Sequence, residues 1–414
     1  MTTSTSLRRH RLLRAAAIAV LAASAAAGSV VSQPAAPTAQ AATDTGWFKP
    51  ATTYVGEFAD PDVLKVGSTY YAYGTNTGGA YLPVMHSVDT KSWIARRAYG
   101  AVGDPLPNKG INPRTGTYYP GLRKVYNGTL RVDPYYNDAL PDVAAWADRS
   151  RCKVVTPGTT AAEDKWCVGA WAPSVERLKD GRYLLAYVAQ QSYATGRQCI
   201  SLATATSPEG PFIDRTTKPV VCSGDPHGSI DPDLFRDPKT GQLHLIFKNE
   251  GVPGSKPTEI YSIPINDAGT FRDAATSYVP GVSQALLLRT SQTWEGTLVE
   301  NPSMVFWGGR YFLFHSGNLW QTASYATGET HCASPRSTCG RIFTYPILRT
   351  SSTLGIWGPG GASAFVDPSG KIAMMYAAWN RSTTGYAYAN RIYHVARMTY
   401  ADSQGRVTVA NALG

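Results

Sequence analysis

Apolar and polar positions alternate along this chain in short runs, and clusters of Gly, Pro, Asn and Asp separate the runs. In Thr69-Tyr70-Tyr71-Ala72-Tyr73, residues 69, 71 and 73 share one face and 70 and 72 the other, the period of a strand. Almost no stretch carries a helical period, so the pattern predicts an all-β protein. One phrase recurs: an acidic or small residue, a proline, a short apolar run, a turn, then an aromatic strand. Its copies are Ala59-Asp60-Pro61-Asp62-Val63 before GSTYYAYGT, Trp171-Ala172-Pro173-Ser174-Val175 before DGRYLLAYVA, and Ile230-Asp231-Pro232-Asp233-Leu234 before TGQLHLIFKN. A fourth is Glu300-Asn301-Pro302-Ser303-Met304 before GGRYFLFHSG, and a degenerate fifth is Gly358-Pro359-Gly360 before PSGKIAMMYAAW. Hairpin turns are expected at Lys179-Asp180-Gly181, Asp237-Pro238-Lys239-Thr240-Gly241, Trp307-Gly308-Gly309 and Asp367-Pro368-Ser369-Gly370, where turn residues cluster.

A repeat of this kind dictates architecture. Prolines 173, 232, 302 and 359 lie 59, 70 and 57 residues apart, room for one four-stranded antiparallel blade and its loops. Five such units predict a five-bladed β-propeller. The interval from Pro61 to Pro173 is 112 residues. Its excess is assigned to an insertion at about residues 100–137, Gly/Pro/Tyr-rich and without a strong strand signal, at the rim between blades 1 and 2. Long loops in compact domains are more often functional or disordered than neutral.

Residues 1–41 read as a secretory signal peptide. Arg8, Arg9, Arg11 and Arg14 precede an alanine-rich apolar stretch, and Ala39-Gln40-Ala41 supplies the small-x-small cleavage pattern. The stretch is too short and alanine-rich for a spanning helix, which needs about 20 strongly apolar residues. The Arg8-Arg9 pair leaves the general secretory and twin-arginine routes both open. Cleavage leaves residues 42–414 as one catalytic domain and lowers the net charge from +10 to +6, since four arginines and no acids are removed. That excess is spread along the chain without a Lys/Arg run, which argues against nucleic acid and membrane as partners. A secreted, extracellular monomer is expected. The six cysteines allow fifteen connectivities. Their spacing suggests local pairs Cys152–Cys167, Cys199–Cys222 and Cys332–Cys339, each contributing about 2–4 kcal/mol in an oxidising compartment. Neither CxxC nor His-rich spacing occurs, so no metal site is expected.

In a propeller the innermost strands surround the axis, so equivalent residues of different blades converge. Asp60 and Asp231 directly precede their prolines, and Glu300 stands one residue further back. Three carboxylates gathered there raise one another's pKa, a costly arrangement for a fold maintained by stability alone. Asp62, Asp233, Asp237 and Asp367 read instead as ordinary turn caps. Trp171 matches Glu300 in repeat position, so its indole is expected to face the same pocket, where aromatic rings stack on sugars. Lys248 and Asn249 end the third aromatic strand and are expected at the pocket mouth.

Taken together, FADPDVLKVGSTYYAYGT, WAPSVERLKDGRYLLAYVA, SIDPDLFRDPKTGQLHLIF and VENPSMVFWGGRYFLFHSGN resemble the blade motifs of glycoside hydrolase family 43, over about residues 47 to 400. The resemblance implies an inverting five-bladed propeller glycosidase acting on arabinose- or xylose-containing polysaccharides. It implies Asp60 as general base, Glu300 as general acid and Asp231 as the carboxylate that orients the acid and keeps its pKa high. In ANRIYHVARM it implies Arg391 as a substrate-binding arginine, with Arg397 as rival; Glu295 is the rival acid. Two departures stand out. Gly361 replaces the histidine of a Gly-Pro-Gly-His motif, and Ala377 that of Tyr-His-Ala-Trp. The first of these commonly helps to hold an axial calcium or sodium, so no cofactor is expected to be required. Among family activities α-L-arabinofuranosidase is the expectation, with β-xylosidase and endo-1,5-α-L-arabinanase as alternatives. A propeller clan acting on fructans shares the Arg236-Asp237-Pro238 tripeptide, but that sequence opens a hairpin and no Cys follows any candidate acid. A non-catalytic sugar-binding propeller is the reading from another class, and it would not need the three acids.

Overall fold

Each alternating run becomes a strand that shows one face to the preceding blade and the other to the next. In the computed structural model Tyr70 and Ala72 pack with Phe365, Met375 and Tyr393 of blade 5, while Tyr73 packs with Val175 and Tyr187 of blade 2. The same division recurs round the molecule. Leu184 and Ala186 meet Leu234 and Phe247, Phe235 and Ile246 meet Met304 and Leu313, and Phe312 and Phe314 meet Met374 and Tyr376. Five apolar clusters thus fill the five gaps between blades, so among the described residues the apolar packing lies between blades.

The structure describes residues 57–76, 81–95, 123–126, 129–132, 139–140, 142–150, 170–386, 389–400 and 405–409. The leader, most of the 100–137 segment and the Cys152–Cys167 pair lie outside them. Within them stand five four-stranded antiparallel sheets, the five-bladed propeller expected. The innermost strands are Asp62–Val66, Trp171–Arg177, Ser229–Arg236, Val299–Trp307 and Trp357–Val366. Residues Arg123–Tyr126 and Thr129–Val132 pair as a two-stranded ribbon, so the first insertion contains strand where none is predicted. Cys199–Cys222 and Cys332–Cys339 are bonded as expected. No helix among the described residues is long and apolar enough to cross a membrane.

A ring of hydrogen bonds joins the inner strands. Asp62 Oδ2 accepts from Val175 N at 2.8 Å, Ser174 Oγ from Leu234 N at 2.9 Å, and Asp233 Oδ2 from Met304 N at 2.9 Å. Ser303 Oγ accepts from Ala364 N at 2.9 Å, and Ser363 Oγ from Val63 N at 3.0 Å, closing the circle. Asp62 and Asp233 are therefore links between blades, not the turn caps predicted. Asp237 and Asp367 are turn caps: Asp237 accepts from Lys239 N at 3.0 Å, and Asp367 from Ser369 N at 2.8 Å and Lys371 N at 2.9 Å.

The ring also corrects the fifth repeat. Ser363 stands where Asp62, Ser174, Asp233 and Ser303 stand, so Gly361-Ala362-Ser363 is the true fifth copy, three residues beyond Gly358. Its pattern is hidden because alanine replaces the proline.

Candidate active site

Just before the ring, each inner strand bends. Asp60, Ala172, Asp231, Asn301 and Gly361 have φ of 46°, 40°, 53°, 45° and 58°, the left-handed region that non-glycine residues avoid at a cost of roughly 1–2 kcal/mol. The pairing slips at the same place in blades 2 to 5, between Trp171 and Ser174, Ile230 and Asp233, Glu300 and Ser303, and Gly360 and Ser363. A bulge of this kind re-aims side chains. It turns consecutive residues, Ile230 with Asp231 and Glu300 with Asn301, into one cavity of about 710 Å³. Strain repeated at one level of four strands, with glycine at that level of the fifth, points to a site.

Asp60 is held from two sides. Thr75 Oγ1 donates to its Oδ2 at 2.7 Å, and Arg391 Nη1 lies 3.0 Å from its Oδ1. Arg391 opens the third strand of blade 5, Arg391–Tyr400, and its backbone oxygen accepts from Phe58 N at 3.0 Å. It is 3% exposed, lies over the rings of Trp320 and Tyr325 at 5.7 Å from each, and its Nε and Nη2 have no hydrogen-bond partner among the described residues. Two buried donors facing a cavity suit sugar hydroxyls. Gly361 makes the pair possible: a Cβ there would lie 2.5 Å from Asp60 Oδ1 and 3.0 Å from Arg391 Nη2.

Across the cavity, Lys248 Nζ donates to Glu300 Oε2 at 2.8 Å and lies 3.0 Å from Glu250 Oε2. Asp231 Oδ2 accepts from Asn301 N at 3.0 Å. Burial and then the charge of Glu300 push the Asp231 carboxyl well above its ordinary range, against the pull of Lys248. Asp231 is the carboxyl that resists ionisation, and an ammonium stands on Glu300. Burial alone would lower Lys248, but Glu300 and Glu250 reverse that and raise it.

Trp171, Trp320, Tyr325, Leu319 and Tyr386 supply the apolar wall. Trp320 stacks on Trp379 with ring centres 6.0 Å apart, and Trp379 Nε1 donates to Trp320 O at 2.8 Å. Tyr325 donates to Asn301 Oδ1 at 2.8 Å, and only glycine at 360 leaves room for its ring, which a Cβ would approach to 2.2 Å.

Asp60, Asp231, Glu300, Trp171, Lys248 and Arg391 thus line one cavity. Asn249 does not: its Oδ1 accepts from Ser229 Oγ at 2.7 Å, inside blade 3, because successive strand residues point to opposite faces. Arg397, at the far end of the Arg391 strand, pairs with the turn residue Asp367 at 3.1 Å. Glu295 is fully buried at the end of a short 3-10 turn, Thr293–Glu295. Burial would raise it, but hydrogen bonds from His315 at 2.9 Å and Arg341 at 2.8 Å hold it at about 2, unsuited to give up a proton near neutrality. Sequence reasoning missed Glu57 and Glu250, both at the cavity. Glu250 directly follows Lys248-Asn249 and was within reach of the alternation that set Asn249 aside. Glu57 precedes the repeat and carries no signal of its own.

No group of three or more His, Cys, Asp or Glu side chains among the described residues is arranged to hold a metal ion. At Gly361 a Cβ would meet Asp60 and Arg391, so that position lends no side chain toward the axis.

A five-bladed propeller with three converging carboxyls and an aromatic wall is the frame of a glycoside hydrolase. Residues 141–404 match glycosyl hydrolases family 43, and the chain belongs to that family. A probable arabinan endo-1,5-α-L-arabinosidase A of Aspergillus flavus is 26% identical over 256 residues, covering 58% of this chain and 73% of that protein. An extracellular endo-α-(1→5)-L-arabinanase of Thermotoga petrophila is 26% identical over 206 residues, 45% of this chain and 33% of its own length. Among solved structures, a thermostable family-43 glycoside hydrolase superposes with a TM-score of 0.62 at 20% identity, over 89% of this chain and 97% of that one. The family match begins after blade 1, so Asp60 takes its place by the closure of the ring.

Proposed function

We propose that the protein is a secreted hydrolase of α-L-arabinofuranosyl linkages in arabinan that acts with inversion. The observation that carries this reading is the convergence of Asp60, Asp231 and Glu300 in one cavity beside Trp171, Trp320 and Tyr386. Asp60, fixed by Thr75 and Arg391, activates water on one face of the sugar. Glu300 protonates the leaving oxygen on the other, and the free donors of Arg391 bind ring hydroxyls. Inverting hydrolysis needs such a pair of carboxyls with a water between them. Asp231 and Lys248 set how the acid holds its proton.

The cavity is larger than one pentose needs, within the range of about 300–1,000 Å³ that takes drug-sized ligands. With relatives named as endo-arabinanases, this supports internal cleavage of arabinan over the release of single terminal residues expected from sequence. Linear arabinan, an aryl α-L-arabinofuranoside and an aryl β-xyloside assayed side by side test the reading. Short oligosaccharides from arabinan, first seen as the inverted anomer by proton NMR, are the expected result. Arabinose alone would restore the arabinofuranosidase reading, and activity on the xyloside only would sink both.

A further inference from the structure

We propose that Glu250 is a positioning residue: by sharing the Lys248 ammonium with Glu300, it allows Glu300 to carry a proton. The proposal rests on the reading of Glu300 as the general acid. An ammonium at hydrogen-bond distance favours the ionised form of a carboxyl, the wrong form for a proton donor. Lys248, at the end of the second strand of blade 3, has a side chain only 2% exposed. If Glu300 were its sole anionic partner, protonating Glu300 would leave a buried ammonium uncompensated, a state the fold disfavours strongly.

Glu250 removes that obstacle. Its Oε2 is 3.0 Å from Lys248 Nζ, and its side chain is 18% exposed against 6% for Glu300. It keeps contact with water and holds the ammonium whichever form Glu300 takes. The groups facing Lys248 are Glu300, Glu250 and Asp231. Those around Glu300 are Lys248, Asp231 and Tyr325, with Asp60 and Arg391 beyond them. One ammonium therefore serves three carboxyls, and Asp231, buried and accepting from Asn301 N, already resists ionisation. The loop carrying Glu250 is fixed: Glu250 N donates to Gly228 O at 3.0 Å, and Gly251 N donates to Asp225, which pairs with Lys256 at 2.9 Å.

The test compares wild type, Glu250→Gln and Glu250→Asp in kcat/KM against pH, on an arabino-oligosaccharide and on an activated aryl α-L-arabinofuranoside. In Glu250→Gln the ammonium is left to Glu300 and Asp231. The alkaline limb on the oligosaccharide should move down by about one pH unit, a tenfold loss above it. The aryl substrate, which needs little acid assistance, should change less than about threefold. Glu250→Asp should fall between, and serves alone if the Gln variant does not fold. An unmoved or raised limb, or equal losses on both substrates, overturns the proposal. Carbon-13 titration of the Glu300 carboxyl, assigned through Glu300→Gln, needs no substrate. A lowered midpoint in the Glu250 variants supports the proposal even if arabinan proves the wrong polymer, and an unchanged one overturns it even if arabinan proves right.

Discussion

Two tiers of residues stand two positions apart on the same five strands, and they behave oppositely. The upper tier, Asp60, Ala172, Asp231, Asn301 and Gly361, shares one left-handed backbone conformation yet carries three kinds of side chain besides the hydrogen of glycine. The lower tier, Asp62, Ser174, Asp233, Ser303 and Ser363, has only Asp and Ser, and each accepts one backbone N–H from the next blade. Equivalent geometry with unlike chemistry makes a site; equivalent geometry with like chemistry makes a closure. The lower tier holds the blades at the spacing in which the upper tier can differ.

The comparison breaks most sharply at the residue beside the upper tier. Glu300→Gln should cost about 10²–10⁴-fold in turnover of an arabino-oligosaccharide, the usual worth of a general acid, and much less on an activated aryl substrate. Steady-state kinetics on the two substrates check this, and near-wild-type hydrolysis of the oligosaccharide would falsify the assignment. Next comes Gly361→Ala. A Cβ 2.5 Å from Asp60 Oδ1 at a φ of 58° should displace the Asp60–Arg391 pair and add about 1–2 kcal/mol of strain. Activity should drop at least about tenfold together with a lowered thermal midpoint; loss of stability alone would mean the pair does not depend on this glycine.

In the lower tier the effect should fall on stability only. Ser303→Ala strands the buried N–H of Ala364, a loss of about 1–3 kcal/mol in denaturant unfolding, with kcat of the folded protein unchanged. A matching fall in kcat would show that the tiers are not separable. Asp62→Asn tests the same tier through pH. Burial raises Asp62 from 3.8 to about 7, opposed by the hydrogen bond from Val175 N. The fold therefore favours the protonated form, so the stability this group contributes is full below its ordinary pKa and is lost as pH rises towards 7. Asparagine keeps the acceptor and loses the charge. Above pH 7 it should be more stable than wild type by about 1–3 kcal/mol, less than the full shift implies because Asp62 is only half-buried and solvent screens it, and near pH 4 the two should agree. A wild type more stable at pH 8 than the variant would contradict the ordering.

Much of this was legible in residue order. The aromatic runs and turns yielded five blades, because a strand's two faces impose a period of two wherever both are buried. Asp60, Asp231 and Glu300 could be read together because repeats place equivalent positions at one axis. The fifth copy was misplaced by three residues, since its marker, a proline, is absent and only the Ser363–Val63 hydrogen bond reveals the register. Asn249 and Glu250 exchanged places for a related reason: which of two neighbours faces the cavity depends on where the strand ends, and a strand end has no sharp signature.

The repeat alone settles the architecture and picks out Asp60, Asp231 and Glu300 as acids at one level of it, because both follow from local patterning repeated along the chain. The pairing of those acids is another matter. It depends on Lys248 reaching Glu300 across 52 positions of sequence and Arg391 reaching Asp60 from the last blade. Electrostatic energy falls with distance in space and is blind to distance along the chain, so only the closed ring could decide which carboxyl is paired, which is shared and which resists its charge.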